Sequence, residues 1–120
     1  MADTPEKKVK KKIVAILKKH NAYYFYPVTG GYGASGVPDV VACISGVFFG
    51  IEAKADLKKN KPTALQQKNL TDIEAAGGVA LVIDANNLDV LEDKITQVIL
   101  SDRNQKEKRD GLVRRKRYVW

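Results

Sequence analysis

Residues 38–44 and 47–54 read as two β-strands parted only by Ser45-Gly46, so they should pair as a hairpin. Asp39 and Glu52 lie equally far from that turn, and the register sets them opposite each other on neighbouring strands. Directly opposed positions have Cβ atoms about 4.5–5.5 Å apart. Glu52 and Lys54 are two apart on one strand and point the same way. Two facing carboxylates repel, and their flanks, VVACI and VFFGI, are apolar, so an uncompensated pair is costly there. A hard cation reverses that sign. Mg²⁺ is typically held by one or two carboxylates, with water and phosphate oxygens completing its shell. Such an ion can polarise a phosphate and help deprotonate a water. Lys54 could hold that water or stabilise phosphoryl charge. Gly50 faces Val41 on the carboxylate side, where a glycine either leaves room for something to approach or marks a bulge. A simpler account also fits: Asp39 caps a strand start, and Glu52 with Lys54 is a surface pair. Short patterns of this kind recur by chance.

The rest of the chain supplies a sheet and helices for this hairpin. Thr4-Pro5 reads as an N-cap and first-turn proline, opening a helix to about Lys19. Val9, Ile13, Ile16 and Leu17 form its buried stripe, and Glu6 sits at the edge of that inward face. The lysines at 7, 8, 11, 12, 18 and 19 mostly face out. Tyr23-Tyr24-Phe25-Tyr26 is β-prone and stops at Pro27, and residues 29–36 form a glycine-rich loop. Residues 56–62 are a lysine-bearing loop. Thr63 caps a helix over about 64–76, which ends at Gly77-Gly78. Val79–Ile83 reads as a buried strand, followed by a helix over about 88–100. The basic stretch RNQKEKRDGLVRRKRYVW reads equally as a tail or a late strand. This order predicts one mixed sheet with helices packed on it.

Charge is distributed unevenly. Residues 1–20 carry +5, residues 21–102 carry −4 and residues 103–120 carry +6. Basic ends attract phosphate backbones through counterion release, although lysine-rich helix faces are often only solvated. No apolar run approaches the roughly 20 residues that span a bilayer. The N-terminal residues lack the apolar core of a secretory signal, and Cys43 has no partner cysteine, so an intracellular protein is expected.

The ordered set of motifs resembles a VRR-NUC domain of the PD-(D/E)xK nuclease superfamily. The likeness runs over roughly residues 4–85 and is strongest from Gly36 to Asp84. Glu6 matches the acidic residue of the first helix. Pro38-Asp39 matches the PD pair, and Glu52-Ala53-Lys54 matches ExK. Gln66 matches the glutamine of the helix before the AGG turn, with Gln67 as a one-residue alternative. The resemblance implies an α/β, restriction-endonuclease-like single domain with a mixed β-sheet flanked by helices. Residues 1–100 would form the nuclease domain and 101–120 a basic C-terminal extension of it. Asp39, Glu52 and a backbone carbonyl at Ala53 would bind Mg²⁺ or Mn²⁺. Lys54 would assist the water, Glu6 would lie near the metal, and Gln66 would orient Lys54 or a phosphate. Similar stand-alone domains, often carried by phages, act as structure-selective DNA endonucleases, some like Holliday-junction resolvases, and form homodimers. The substrate implied is branched DNA. The rival readings are a nonspecific duplex or flap nuclease, a catalytically silent DNA-binding module and an RNA-binding accessory protein.

Other residues have plainer expectations. Tyr23, Tyr24 and Tyr26 should pack on the sheet or in the core rather than stack on bases, while Tyr32 sits in the glycine-rich loop and fits either role. That loop lacks the lysine of a nucleotide-binding loop, so ATP or GTP use is not expected. His20 should be a helix C-terminal residue rather than a general base. Cys43 should be inert core. Lys58, Lys59 and Lys61 either contact a DNA backbone or are solvated.

Overall fold

A computed structural model describes residues 3–28 and 36–110 of the chain. Its elements run α1 (Pro5–Lys19), β1 (Tyr23–Phe25), β2 (Val40–Ile44), β3 (Val47–Ala53), α2 (Ala64–Ala75), β4 (Val79–Ile83) and α3 (Leu88–Asp110). The four strands form one mixed sheet in the order β1-β2-β3-β4. β1, β2 and β3 pair antiparallel in turn, and β4 is parallel to β3. A parallel pair needs a crossover, which α2 supplies. The α/β architecture expected from the element order is therefore the one observed.

The hairpin forms in the expected register, with Val40 opposite Ile51, Val41 opposite Gly50 and Ile44 opposite Val47. Ser45 and Gly46 both have positive φ, 51° and 81°. Two left-handed residues give the primed turn whose twist matches that of paired strands.

Strand alternation divides the sheet into two faces. Val40, Ala42, Ile44, Phe49, Ile51, Ala53, Leu81 and Ile83 point to one side. There they meet Val9, Ile13 and Leu17 of α1 and Leu91 and Ile95 of α3. The α1 stripe is as expected except that Ile16 is half-buried and Val14 is buried. Burying large aliphatic side chains on this scale, at about 1.5–3 kcal/mol each, is what holds helices to sheet. At its far end α1 is tied to α3, because Glu92 accepts from Lys19 and pairs with His20 Nε2 at 2.7 Å. The hydrogen bond from Lys19 first, and that with His20, hold the Glu92 carboxyl below its usual range. His20 is the α1 C-cap, as expected for a helix-end residue.

The opposite face holds α2. Thr63 and Gln66 form a reciprocal capping box at its start. At its end Gly77 (φ 95°) and Gly78 donate to the carbonyls of Glu74 and Ile73, the paired bonds of a Schellman motif. This helix corrects the reading of Gly50. The room left at Gly50 is taken by Ile73: a Cβ on residue 50 would lie 2.4 Å from Ile73 Cδ1 and 3.1 Å from Pro38 Cγ. The glycine seats α2 on the sheet, with neither a ligand nor a bulge. Gly50→Ala should destabilise the protein by about 1–3 kcal/mol through overpacking. Adding Ile73→Val should recover part of that loss in urea unfolding. Additive losses in the double variant would count against this packing.

Three further expectations change. Cys43 is exposed, not core, because its side of β2 lies beyond the cover of α2. Tyr23 and Tyr26 are also exposed, whereas Tyr24 packs against the core. Residues 101–110, read as tail or strand, continue α3 as helix. Tyr32 and residues 111–120 lie outside the described residues.

Candidate metal centre

The row of the sheet just beyond the paired hairpin residues holds Asp39 and Glu52. Asp39 immediately precedes β2, and its Oδ2 accepts from the Ala53 backbone N–H at 2.8 Å. That bond holds the Asp39 carboxylate across the two strands; it is made by the Ala53 N–H, not by the carbonyl expected to ligate the metal. Glu52 lies inside β3 and is only 2% exposed. Glu6 comes from the first turn of α1 and is exposed. One carboxylate oxygen from each of Glu6, Asp39 and Glu52 lies within 4.8 Å of the other two. The first helix and the two strands of the hairpin thus converge on one point.

Lys54 and Gln66 complete the site. The half-buried Lys54 ammonium donates to Gln66 Oε1 at 2.9 Å. That oxygen also accepts from the Thr63 N–H, the capping-box bond. Gln66 Nε2 donates to Glu52 Oε1 at 3.3 Å. Gln66 therefore links the lysine to the carboxylate while anchored at a helix start. Of the two candidates Gln66 and Gln67, Gln66 is the one at the site, and Gln67 is exposed.

The second oxygen of Glu52 decides the electrostatics. Glu52 Oε2 is buried and has no hydrogen-bond partner among the described residues. Burial pushes the Glu52 carboxyl up to about 8, and the neighbouring Asp39 carboxylate pushes the same way. Lys54 pulls it down only in part, and Glu6 adds to the rise. Protonated, Glu52 can donate to Asp39; ionised, its Oε2 faces no protein donor. An orphaned buried oxygen beside two more carboxylates suits a hard divalent cation such as Mg²⁺ or Mn²⁺. Asp39, Glu52 and Glu6 are the side chains that would hold it. This oxygen-only set is unlike the nitrogen and sulfur ligands typical of structural zinc.

Two residues outside the expected set shape this site. Gly36, at φ 91°, abuts the start of α2, where a Cβ would lie 2.8 Å from the Leu65 carbonyl carbon and 2.9 Å from the Gln66 nitrogen. Backbone cannot yield as a side-chain tip can. Gly36→Ala should cost about 1–2 kcal/mol in left-handed strain alone. It should also push Gln66 off Lys54 and Glu52. Denaturant unfolding checks the first effect, and a fall in metal affinity the second. Asp84, buried at the end of β4, accepts from the Leu57 and Asn86 N–H groups. These backbone bonds hold its carboxyl below the usual range and pin the loop that follows Lys54. Its only sequence sign was an acid at the end of an apolar strand. Lys58, Lys59 and Lys61 are exposed on that loop.

Comparison with protein-family models, with curated proteins and with solved structures finds no match for this chain.

Proposed function

We propose that this protein is a divalent-metal-dependent endodeoxyribonuclease of the PD-(D/E)xK type, resembling VRR-NUC nucleases and acting on branched DNA as a homodimer. The observation that carries this reading is the convergence of Glu6, Asp39 and Glu52, with Glu52 Oε2 buried and unpartnered among the described residues. The Lys54–Gln66 pair beside them supplies what a cluster meant only for structure would not need. No helix among the described residues is long and apolar enough to cross a membrane.

When bound, Mg²⁺ or Mn²⁺ would supply Lewis-acid charge at a phosphate oxygen and lower the pKa of water. The remaining work falls to the chain. Asp39 and Glu52 fix the position of positive charge at one end of the two inner strands. The Asp39 carboxylate is held in one orientation by the Ala53 N–H. Lys54 presents its ammonium where an attacking water or a phosphoryl oxygen would lie, and Gln66 keeps it there. Glu6, the exposed member, would be the most accessible acceptor for a water proton.

The test is cleavage of a labelled four-way junction beside matched linear and flap duplexes, in Mg²⁺ and in Mn²⁺, with Asp39→Asn and Lys54→Ala as controls. Paired cuts on the junction, lost in both variants, are the expected result. Equal cutting of all substrates would replace branched DNA with nonspecific duplex. No cutting of any DNA would overturn the enzyme.

A further inference from the structure

Beside the carboxylates, α1 carries a feature the proposed chemistry has not used. Lys7, Lys10, Lys11, Asp3 and Tyr26 line an open cleft of about 280 Å³. Lys10 lies four residues after Glu6, on the same face of α1 and about 6 Å further along its axis. Its ammonium sits 5.6 Å from the centre of the Tyr26 ring, within cation–π range. Tyr26 in turn follows β1, one residue before the position level with Asp39. The aromatic ring therefore fixes one cation of the cleft beside the site. Lys7 and Lys11 are exposed, and Lys11 pairs with Asp3 at 2.5 Å.

We infer that this cleft is a cradle for the sugar–phosphate backbone of a nucleic-acid strand, seating the phosphate next to the one that reaches Glu6, Asp39 and Glu52. The inference rests on the nuclease reading and adds the binding residues. Three lysines against one aspartate make the cleft cationic, which matches phosphate and opposes the carboxylate cluster beside it. A step of about 6 Å along the helix is on the scale of one nucleotide of extended strand. Lys7 and Lys10 hold the phosphate, Tyr26 positions Lys10, and Asp3 occupies Lys11 until a phosphate displaces it. Lys8 and Lys12, on the other flank of α1, are exposed and do not line the cleft.

The experiment measures anisotropy of a labelled single strand and a labelled duplex over a salt series in EDTA, where no metal-dependent cutting occurs. The full-length protein is compared with Lys7→Ala/Lys10→Ala and with Lys8→Ala/Lys12→Ala, which removes the same charge from the other flank. For the cleft variant, the slope of log affinity against log salt should fall by about 0.9 per lysine on duplex and about 0.7 on single strand. The control variant should keep close to the wild-type slope. Asp3→Asn should bind more tightly than wild type by several-fold at low salt, because Lys11 is released. Equal losses in the two double variants overturn the cradle, as does Asp3→Asn protein that binds no more tightly. Cleavage is scored separately in Mg²⁺. Binding with the expected slopes but no cleavage sinks the nuclease and keeps the cradle; cleavage with equal slopes does the reverse.

Discussion

Glu52→Gln should make the metal-free protein more stable at about pH 9 and remove its stabilisation by Mg²⁺. The reasoning starts from the carboxyl. Its ordinary value is 4.5, and in the folded chain it stands at about 8. Between those values the folded state holds a proton that the unfolded state has released. Stability therefore falls as pH rises from about 4.5 to about 8 and stays low above that. The loss amounts to about 5 kcal/mol, a large share of a small domain's total. The amide introduced at position 52 is neutral, can donate to Asp39, and still offers an oxygen to Gln66 Nε2. It therefore escapes that loss. At about pH 5 wild type and variant should melt alike. Mg²⁺ acts on the wild type alone: it favours the ionised carboxyl, so it should stabilise the wild type by about 2.7 kcal/mol at one hundred times its Kd. Thermal melts of both proteins at pH 5 and 9, with and without Mg²⁺, provide the check. A wild type whose stability is flat with pH, or Mg²⁺ that stabilises both equally, would sink the metal centre.

Lys54→Ala should lower single-turnover DNA cleavage by about 10²–10³-fold while leaving Mg²⁺ stabilisation intact, since one electrostatic donor to a transition state is worth that much. Asp39→Asn should lose both properties, with cleavage down on the order of 10³-fold or more. Asparagine is the better probe at 39 because its side-chain oxygen can still accept from the Ala53 N–H. Alanine there would orphan a buried donor at a cost of about 1–3 kcal/mol and confuse folding with function. The pair of variants separates holding the cation from using it. A Lys54→Ala protein that cuts at the wild-type rate would remove Lys54 from the chemistry.

The hairpin was legible because its determinants are local. The Ser45-Gly46 turn sets the register, and a period of two then decides every facing pair from Val47 to Ile51. Helix caps at Thr4 and Thr63, and the stop at Gly77-Gly78, were legible for the same reason. The errors fall where a distant element decides. Gly50 is small because Ile73, more than twenty residues later, needs the space. Cys43 sits in an apolar run yet is exposed, because α2 does not cover its row. The continuation of α3 beyond residue 100 was missed because that stretch has only charged and polar residues up to Asp110, with no apolar period to read.

For the site, the sequence by itself determined that Asp39 and Glu52 would face each other and that Lys54 would share the Glu52 side. Strand geometry and a two-residue turn leave no other arrangement. That Glu6 joins them was implied by the resemblance but decided by the tertiary structure, since it depends on how α1 packs on the sheet. The tertiary structure alone decided that Gln66 bridges Lys54 and Glu52, which needs α2 on the carboxylate face and Gly36 against its first turn. It also decided that Glu52 Oε2 is buried without a partner among the described residues. A turn acts over a few residues of chain, whereas desolvation and convergence arise only when elements remote in sequence close over the same point.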